Sequence, residues 1–335
     1  MPYNDIIRKF IDMYAGRLRN QVSFMLSACN FYMPIFEETL DAYGLPLELR
    51  YLPIIESALN PSAVSRAGAS GLWQFMIGTG KIYGLESNSL VDERRDPIKA
   101  TWAAARYLKE MYDIYGDWNL VIAAYNCGPG TINKAIRRAN GETDYWKIYN
   151  YLPKETRGYV PAFIAANYVM TYYCDHNICP METNIPASTD TVQVNQNLHF
   201  EQIADLCNVP LDQIKSLNPQ YKKQMIPGDS KPYTLRLPID AISTFIDKQD
   251  TIYAHRADEL FRNRKTVAVK DITPATRKTT TAVAGKGKLT YYTIKSGDTL
   301  STIAGKYGVT IKDIQRWNGM SNTKIAAGKR LKIYK

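Results

Sequence analysis

Hydrophobic positions in the first 175 residues recur every three or four residues, which is the spacing of amphipathic helices. The clearest predicted helix starts at Asp96-Pro97, where an N-cap aspartate precedes proline at the first helical position, and it ends at Gly116. The same spacing predicts further helices from 117 to the Gly128-Pro129-Gly130 break, over 131–139 and over 155–173. Since no earlier segment alternates as a strand would, we predict a compact all-helical domain over residues 1–180.

Two segments after residue 180 repeat each other at a separation of 100 residues. The repeated positions are Phe200, Ile203, Ala204, Val209, Ile214 and Asn218, which match Leu300, Ile303, Ala304, Val309, Ile314 and Asn318. Short alternating strands flank each set, at 191–194 and 233–237 in the first copy and at 291–294 and 330–334 in the second. This order of strand, helix, helix and strand predicts a small α+β module, present twice, over 190–238 and 290–335.

Glu56 is a carboxylate on an otherwise apolar predicted helix. The apolar stripe consists of Leu47, Tyr51, Ile54, Ile55 and Ala58. Burial disfavours the charged form of a carboxyl group, so a residue in this position tends to keep its proton near neutral pH, as a general acid must. The ordinary alternative is a surface glutamate at a helix end. The helix C-terminus is, however, an unfavourable place for a negative charge, and a loop rich in glycine and hydrogen-bonding side chains follows.

Several ordered motifs resemble one enzyme family. They are Glu56-Ser57-Ala58-Leu59-Asn60-Pro61, Gly71-Leu72-Trp73-Gln74-Phe75-Met76, Ala123-Ala124-Tyr125-Asn126-Cys127-Gly128-Pro129-Gly130 and Glu155-Thr156-Arg157-Gly158-Tyr159-Val160-Pro161. Together they resemble the lytic murein transglycosylases of the soluble-transglycosylase type, and more narrowly the membrane-bound transglycosylase D type. The resemblance covers about residues 30–175 and implies a goose-lysozyme-like helical fold. Ala58 and Leu59 replace the Gly and Phe that are commoner in the family.

The resemblance also implies roles for single residues. Glu56 would be the one general acid and then the base. It would cleave the bond between N-acetylmuramic acid and N-acetylglucosamine without water and leave a 1,6-anhydro end. The implied substrate-binding residues are Ser65, Gln74, Met76, Tyr125, Asn126, Glu155 and Tyr159. We expect no cofactor and no metal site, since the three histidines are scattered along the chain.

Two alternatives stay open at this stage. A lysozyme-like hydrolase normally needs a second carboxylate about 5–10 Å from the first, and Glu155 is the only candidate within a matching motif. A non-catalytic peptidoglycan-binding scaffold could keep the same fold without the chemistry. The intact set of motif residues around Glu56 argues against the scaffold.

The two repeats resemble LysM modules, which bind glycans that contain N-acetylglucosamine. In the second copy, the matching residues are Gly297, Asp298, Thr299 and Asn318. The turn after the first strand and the loop before the last strand would form a shallow sugar groove. The first copy carries Asn195-Gln196-Asn197-Leu198-His199 in place of the Gly-Asp-Thr turn. For that copy, glycan binding and a structural role stay equally open.

The formal net charge of +10 and a pI near 9.2 favour polyanionic partners. Much of the excess lies between Phe261 and Thr290, where eight basic residues stand against the single acid Asp271. We therefore assign 239–289 to a helical segment followed by a flexible basic linker. This linker lacks interleaved aromatic residues and no docking motif is visible, so we expect no nucleic-acid partner.

No run of about 18 apolar residues predicts a transmembrane helix, and the N-terminus lacks the pattern of a signal peptide. The chain is therefore expected to be cytoplasmic or a form without its export segment. The resemblance favours the bacterial cell envelope, in the periplasm or at the outer membrane. We expect a monomer that acts on peptidoglycan glycan strands, with other envelope proteins as further partners. Cys174 and Cys179 could form a disulfide in an exported protein or stay free thiols.

Overall fold

The computed structural model describes residues 3–183, 185–186, 188–262, 289–295, 298–318, 320, 325 and 328–334. The chain forms two compact units, residues 1–272 and 273–335. Within the described residues, the first unit contains two hydrophobic cores and the second contains one. The predicted linker lies mostly outside the described residues.

Helices build the first core. In chain order they are α1 (Asp5–Ala15), α2 (Arg19–Ala42), α3 (Leu52–Ser57), α4 (Ile77–Ile82), α5 (Pro97–Tyr115), α6 (Trp118–Cys127), α7 (Pro129–Arg138), α8 (Tyr145–Ile148) and α9 (Lys154–Thr171). The caps explain why α5 has these bounds. The Asp96 carboxylate accepts hydrogen bonds from the amides of Ile98 and Lys99, and Gly116 takes a left-handed conformation with φ 61°. The prediction of an all-helical domain is confirmed in its helices, and isolated β-bridges such as that between Val64 and Ser70 lie in the loops.

Trp73 ties the loop between α3 and α4 to the core. Its indole is fully buried, and Nε1 donates a hydrogen bond of 2.9 Å to Oγ1 of Thr101 on α5. The edge of the ring packs against Phe36 of α2, with the ring centroids 5.4 Å apart. Helix α9 packs against α1, α6 and α3, the helix that carries Glu56. These contacts fix the elements that carry the predicted site.

The first repeat forms the second core. Its elements are β1 (Thr189–Val194), β2 (Asn197–His199), α10 (Phe200–Cys207), α11 (Leu211–Leu217), β3 (Met225–Pro227), β4 (Tyr233–Pro238), α12 (Ile239–Asp247), α13 (Gln249–Ala254) and α14 (Ala257–Leu260). Strand β1 pairs antiparallel with β4, and β2 pairs antiparallel with β3. The predicted single helical segment after residue 238 is three short helices. Phe245 and Ile252 from the first two are buried in the core of the repeat, so the segment belongs to this core up to Tyr253.

The second repeat forms the third core with β5 (Leu289–Thr293), α15 (Leu300–Tyr307), α16 (Ile311–Asn318) and β6 (Arg330–Tyr334). Strands β5 and β6 pair antiparallel, from Leu289 opposite Tyr334 to Thr293 opposite Arg330. The predicted order of strand, helix, helix and strand is confirmed for this copy. Cys174 and Cys179 are both free thiols. Over the described part of the chain, no helix is both long and apolar enough to cross a membrane.

Candidate active site

The helix that carries Glu56 is short because its C-terminus is sharply turned. A 3-10 turn at Leu47–Tyr51 leads into α3, and α3 stops after Ser57. Ala58 and Leu59 both adopt left-handed conformations, with φ 53° and 59°. Such angles favour glycine, which agrees with the commoner family residue at position 58. Glu56 therefore lies in the last turn of the helix, next to the loop that follows.

Glu56 lines a cavity of about 410 Å³ and is partly exposed to it. The other lining residues are Tyr14, Leu18, Gln21, Met25, Ile54, Ile55, Ser57, Ala58, Ala63, Val64, Ser65 and Gln74. One side of the cavity comes from α1 and α2, and the other comes from α3 and its following loop. A larger cavity of about 860 Å³, lined by Leu59 and by Leu217 of the first repeat, does not include Glu56. The smaller cavity is the candidate active site because it contains Glu56, the carboxyl group on which the predicted chemistry depends.

Burial raises the pKa of Glu56 to about 7. The Tyr159 hydroxyl donates a hydrogen bond to Oε1 of Glu56, which acts in the opposite direction, and the negative charge of Glu155 adds to the rise. Tyr159 lies on α9 and is itself buried, and both burial and the Glu56 charge hold its pKa well above the ordinary value. Tyr159 is therefore a neutral donor, and Glu56 titrates near neutral pH.

Tyr125 stands near Glu56 but donates elsewhere. Its hydroxyl donates a hydrogen bond of 2.7 Å to the backbone carbonyl of Trp73. Burial raises the pKa of Tyr125 far above its ordinary value, and the charge of Glu56 contributes to the rise. Ser57 also fastens the loop, since its hydroxyl lies 3.0 Å from the carbonyl of Leu72. Tyr125 and Ser57 thus fix the position of Leu72 and Trp73 in the loop between α3 and α4.

Gln74 and Ser65 line the same cavity as Glu56. Gln74 has a left-handed φ of 49°, and its Nε2 donates to the carbonyls of Gly71 at 2.8 Å and Ala63 at 3.3 Å. Ser65 is exposed, and its Oγ accepts a hydrogen bond of 3.0 Å from the amide of Ala69. The side-chain oxygen of Gln74 and the exposed Ser65 hydroxyl are polar groups that a sugar ring in the cavity could meet.

Three predicted residues, Glu155, Asn126 and Met76, are not among those that line the cavity. Glu155 is exposed in the first turn of α9 and acts on Glu56 through its charge. Asn126 is held by Thr156, whose hydroxyl donates to Oδ1 of Asn126 at 2.9 Å. Met76 is partly buried at the N-cap position of α4 and is not among the residues that line the 410 Å³ cavity. Their predicted contacts with substrate stay predictions.

Sequence reasoning missed Tyr14 and Gln21, which line the cavity from α1 and α2. No local pattern marks them, because they come from helices that precede every motif. It also missed Arg94, whose guanidinium donates to the carbonyls of Gly68 and Phe75 on either side of Gln74. The run Asp92-Glu93-Arg94-Arg95 has the composition of a solvated charged turn, yet the structure buries the first three of these residues.

The predicted sugar-binding residues of the second repeat make contacts within the module. Asp298 accepts hydrogen bonds from the Tyr292 hydroxyl and the Lys295 amide, both at 2.8 Å, and Thr299 caps α15. Asn318 donates to the carbonyl of Lys332 at 2.9 Å and accepts from its amide at 2.7 Å. Gly297 lies outside the described residues. Glycan contact by these residues stays a prediction.

Among the described residues, no group of three or more His, Cys, Asp or Glu side chains could hold a metal ion.

Family models match three parts of the chain. Residues 33–148 match the transglycosylase SLT domain, 188–254 match the LysM-like domain of lytic transglycosylase MltD, and 292–333 match the LysM domain. The chain is also 31% identical to membrane-bound lytic murein transglycosylase D of Escherichia coli strain K12, over 99% of this chain and 70% of that protein. The chain belongs to the lytic murein transglycosylase D family.

Other transglycosylases are similar over part of the chain. The soluble lytic murein transglycosylase of Escherichia coli strain K12 is 33% identical over 124 residues, which is 35% of this chain and 19% of that protein. The solved structure of the 70-kDa soluble lytic transglycosylase from Escherichia coli is 29% identical, with a TM-score of 0.38 over 43% of this chain and 24% of that one. The family that the motif residues suggested is the one that the match over 99% of the chain shows.

Proposed function

We propose that the chain cleaves the bond between N-acetylmuramic acid and N-acetylglucosamine in peptidoglycan, with Glu56 as the single catalytic carboxyl group. The observation that carries this proposal is the pKa of Glu56, which burial raises to about 7 in a cavity that also contains Ser65 and Gln74. A group with this pKa is available both as an acid and as a base near neutral pH.

The two steps balance without water. Protonated Glu56 gives its proton to the glycosidic oxygen, and the bond from that oxygen to the muramoyl anomeric carbon breaks. The Glu56 carboxylate then takes the proton of the muramoyl 6-hydroxyl while that oxygen attacks the anomeric carbon. The products are a free 4-hydroxyl on N-acetylglucosamine and a 1,6-anhydro-muramoyl end, and Glu56 is protonated again.

Neighbouring residues support both states of Glu56. The neutral hydroxyl of Tyr159 donates to Oε1 and so orients the carboxylate for the base step. Tyr125 and Trp73 hold the loop that carries Gln74, and we propose that Ser65, Gln74, Met76, Asn126 and Glu155 contact the sugar chain. Holding such groups in fixed positions lowers the cost of orienting the substrate.

Hydrolysis is the second candidate function, because the negative charge of Glu155 contributes to the raised pKa of Glu56. A second carboxylate could activate water against the same bond. Glu155 is, however, exposed on the first turn of α9 and not enclosed in the cavity. We therefore place it as a supporting residue of the transglycosylase and not as a general base for water.

Product analysis tests this proposal. Purified peptidoglycan is incubated with the parent protein and with Glu56→Gln, and the soluble products are identified by mass. We expect anhydro-muropeptides from the parent and none from the variant. Reducing-end products from the parent would establish the hydrolase instead, and no release by either protein would contradict both catalytic assignments.

We also propose that the second repeat retains the enzyme on the polymer within the cell envelope. A weak glycan-binding module joined to the catalytic region raises the effective concentration of substrate. Deletion of residues 290–335 should weaken sedimentation with insoluble peptidoglycan and leave turnover of short soluble fragments unchanged. Equal sedimentation of both forms would refute the targeting role. We expect the protein to act as a monomer.

A further inference from the structure

The segment 86–95, between α4 and α5, lies between the active-site loop and the first repeat. We propose that the first repeat holds the active-site loop 68–75 in position through the positioning residues Asp92 and Arg94, a role that we call a brace. In this proposal the first repeat does not bind sugar. The proposal rests on the proposed function only for its effect on turnover. Its structural part stands on contacts within the first unit of the chain.

Arg94 makes the contacts on the side of the active-site loop. Its Nη1 donates to the carbonyl of Gly68 at 2.8 Å and to the carbonyl of Phe75 at 3.0 Å, so one guanidinium holds both ends of the loop. The Arg94 carbonyl also packs so closely on Gly71 that a Cβ at Gly71 would lie 1.7 Å from its oxygen. Gln74, which lines the cavity with Glu56, lies between these anchored points.

Asp92 fixes Arg94 in place. Its carboxylate accepts from Nε of Arg94 at 2.9 Å and from Nη2 at 2.8 Å, a two-pronged pair. Only 2% of the Asp92 side chain and 7% of the Arg94 side chain is exposed. Two parallel hydrogen bonds fix the orientation of the guanidinium, and removal of Asp92 would leave the buried charge of Arg94 without this partner.

The other face of the segment is paired with the first repeat. The Asp92 amide donates to the carbonyl of Gln220 at 2.8 Å, and the Lys222 amide donates to the carbonyl of Leu90 at 2.7 Å. Val91 forms an antiparallel bridge with Tyr221. Leu90 and Val91 are buried in the core of the repeat and not in that of the catalytic helices. Leu90 and Val91 thus make the segment part of the second core, while Arg94 of the same segment contacts the active-site loop 68–75.

Two lysines of the repeat add charged contacts to the segment. Nζ of Lys222 donates to the carbonyl of Asn88 at 2.8 Å and lies 3.8 Å from Oδ2 of Asp92. Nζ of Lys231 lies 2.6 Å from Oε2 of Glu86. Lys222 therefore places a positive charge beside the same carboxylate that orients Arg94. This gives the repeat a direct contact with the group that positions the loop.

Strand pairing closes the place where a sugar groove would lie in this repeat. That groove would lie between the turn after β1 and the loop before β4. Strand β2 is in the turn and β3 is in the loop, and they pair from Asn197 opposite Pro227 to His199 opposite Met225. The Asn197 amide and Nδ2 both donate to the Asp229 carboxylate, at 3.0 and 2.5 Å. The two walls are bonded to each other along these residues, which leaves no gap between the two strands for a sugar ring.

Hydrogen exchange tests the brace independently of activity. The variant Lys222→Ala/Lys231→Ala is made in the full chain, with Lys215→Ala as the matched control, since Lys215 pairs only with Asp212 of its own repeat among the described ion pairs. We expect amides of the 68–75 loop to exchange at least about tenfold faster in the double variant and at the parent rate in the control. The double arginine variant Lys222→Arg/Lys231→Arg should restore protection. Unchanged exchange in the double variant would overturn the proposal.

Turnover and retention separate a brace from a sugar-binding module. On short soluble glycan fragments, the double variant should lose about tenfold in kcat with little change in KM, because a displaced loop misplaces Gln74. Sedimentation with insoluble peptidoglycan should stay at the parent level in this variant and in Asn195→Ala/Gln196→Ala. Weaker sedimentation of the Asn195→Ala/Gln196→Ala variant would overturn the proposal. If the parent protein were inactive on every substrate, only the proposed function would be contradicted. The hydrogen-exchange experiment would still test whether the first repeat holds the loop in position.

Discussion

Tyr159 donates a hydrogen bond to Oε1 of Glu56 across 103 residues of chain. Burial favours the neutral form of Glu56, whereas this hydrogen bond favours the carboxylate, and the result is a pKa of about 7. A group poised in this way needs little free energy to change between acid and base. The pairing of a buried carboxyl with a neutral phenol therefore suits one residue to two successive proton transfers.

Removal of that hydrogen bond should move the pH profile upward. Tyr159→Phe takes away the donor that lowers the pKa of Glu56, so the pKa rises above about 7. Since kcat/KM requires protonated Glu56 in the free enzyme, the basic limb of its pH profile should move up by about 0.5–1 pH unit. Tyr125→Phe is the matched control, because its hydroxyl donates to the Trp73 carbonyl. A basic limb that stays in place in Tyr159→Phe would contradict this account.

Glu56 should also make stability depend on pH. Its folded-state pKa of about 7 lies above the ordinary value of 4.5. The contribution of Glu56 to the free energy of unfolding is therefore complete below pH 4.5 and is lost as the pH rises through 7. The full difference corresponds to about 3 kcal/mol, which we reduce to about 1–2 kcal/mol because the carboxyl group is partly exposed.

Glu56→Gln carries no such loss, so its free energy of unfolding relative to the parent should improve by this amount between pH 4.5 and pH 8. Urea unfolding of both proteins at the two pH values measures it. Glu155→Gln, which replaces an exposed carboxylate, should show little of this change. The same stability difference between Glu56→Gln and the parent at both pH values would refute the raised pKa.

Glu155→Gln decides whether a second carboxylate takes part. Its negative charge contributes to the raised pKa of Glu56, so its removal should move the basic limb of kcat/KM down by a few tenths of a pH unit. The ratio of anhydro to reducing-end products should not change. Glu142→Gln, which removes an exposed glutamate paired with Lys147, controls for net charge. A higher share of anhydro ends in Glu155→Gln alone would show that Glu155 activates water.

The elements with local signals could be predicted from the sequence. Asp96 and Gly116 mark the ends of α5 because capping depends on residues within one turn of the helix. Glu56 was identified because its neighbours form a contiguous motif. The contact of Tyr159 with Glu56 had no such signal, since it depends on how α9 packs beside α3. The resemblance implied only a substrate-binding role for Tyr159.

Very short strands and buried charged residues could not be predicted from the sequence pattern. Strands β2 and β3 have three residues each, which is too short for an alternation to show. Arg94 belongs to a charged run that is typical of an exposed turn, and its burial follows only from the pairing with Asp92. The pairing of the segment 86–95 with the first repeat was also missed, because it depends on tertiary contacts and not on a local pattern.

Gly71 should tolerate no side chain, because both its conformation and its surroundings exclude one. Its φ is 88°, and an added Cβ would lie 1.7 Å from the Arg94 carbonyl oxygen and 2.6 Å from the carbonyl carbon. These are backbone atoms of the segment that holds the loop, so they cannot move aside without displacing Asp92 and Arg94. We expect Gly71→Ala to lower the free energy of unfolding by more than about 3 kcal/mol.

Gly78 provides the matched control for Gly71. It lies in α4, is exposed, and has no atom within 4 Å of an added Cβ. Gly78→Ala should therefore stabilise the protein by about 0.5–1 kcal/mol through the lower helix propensity of glycine. Urea unfolding monitored by circular dichroism measures both variants. If Gly71→Ala were as stable as Gly78→Ala, the tight packing of the 86–95 segment against the active-site loop would be wrong, and the positioning role of Arg94 would lose its support.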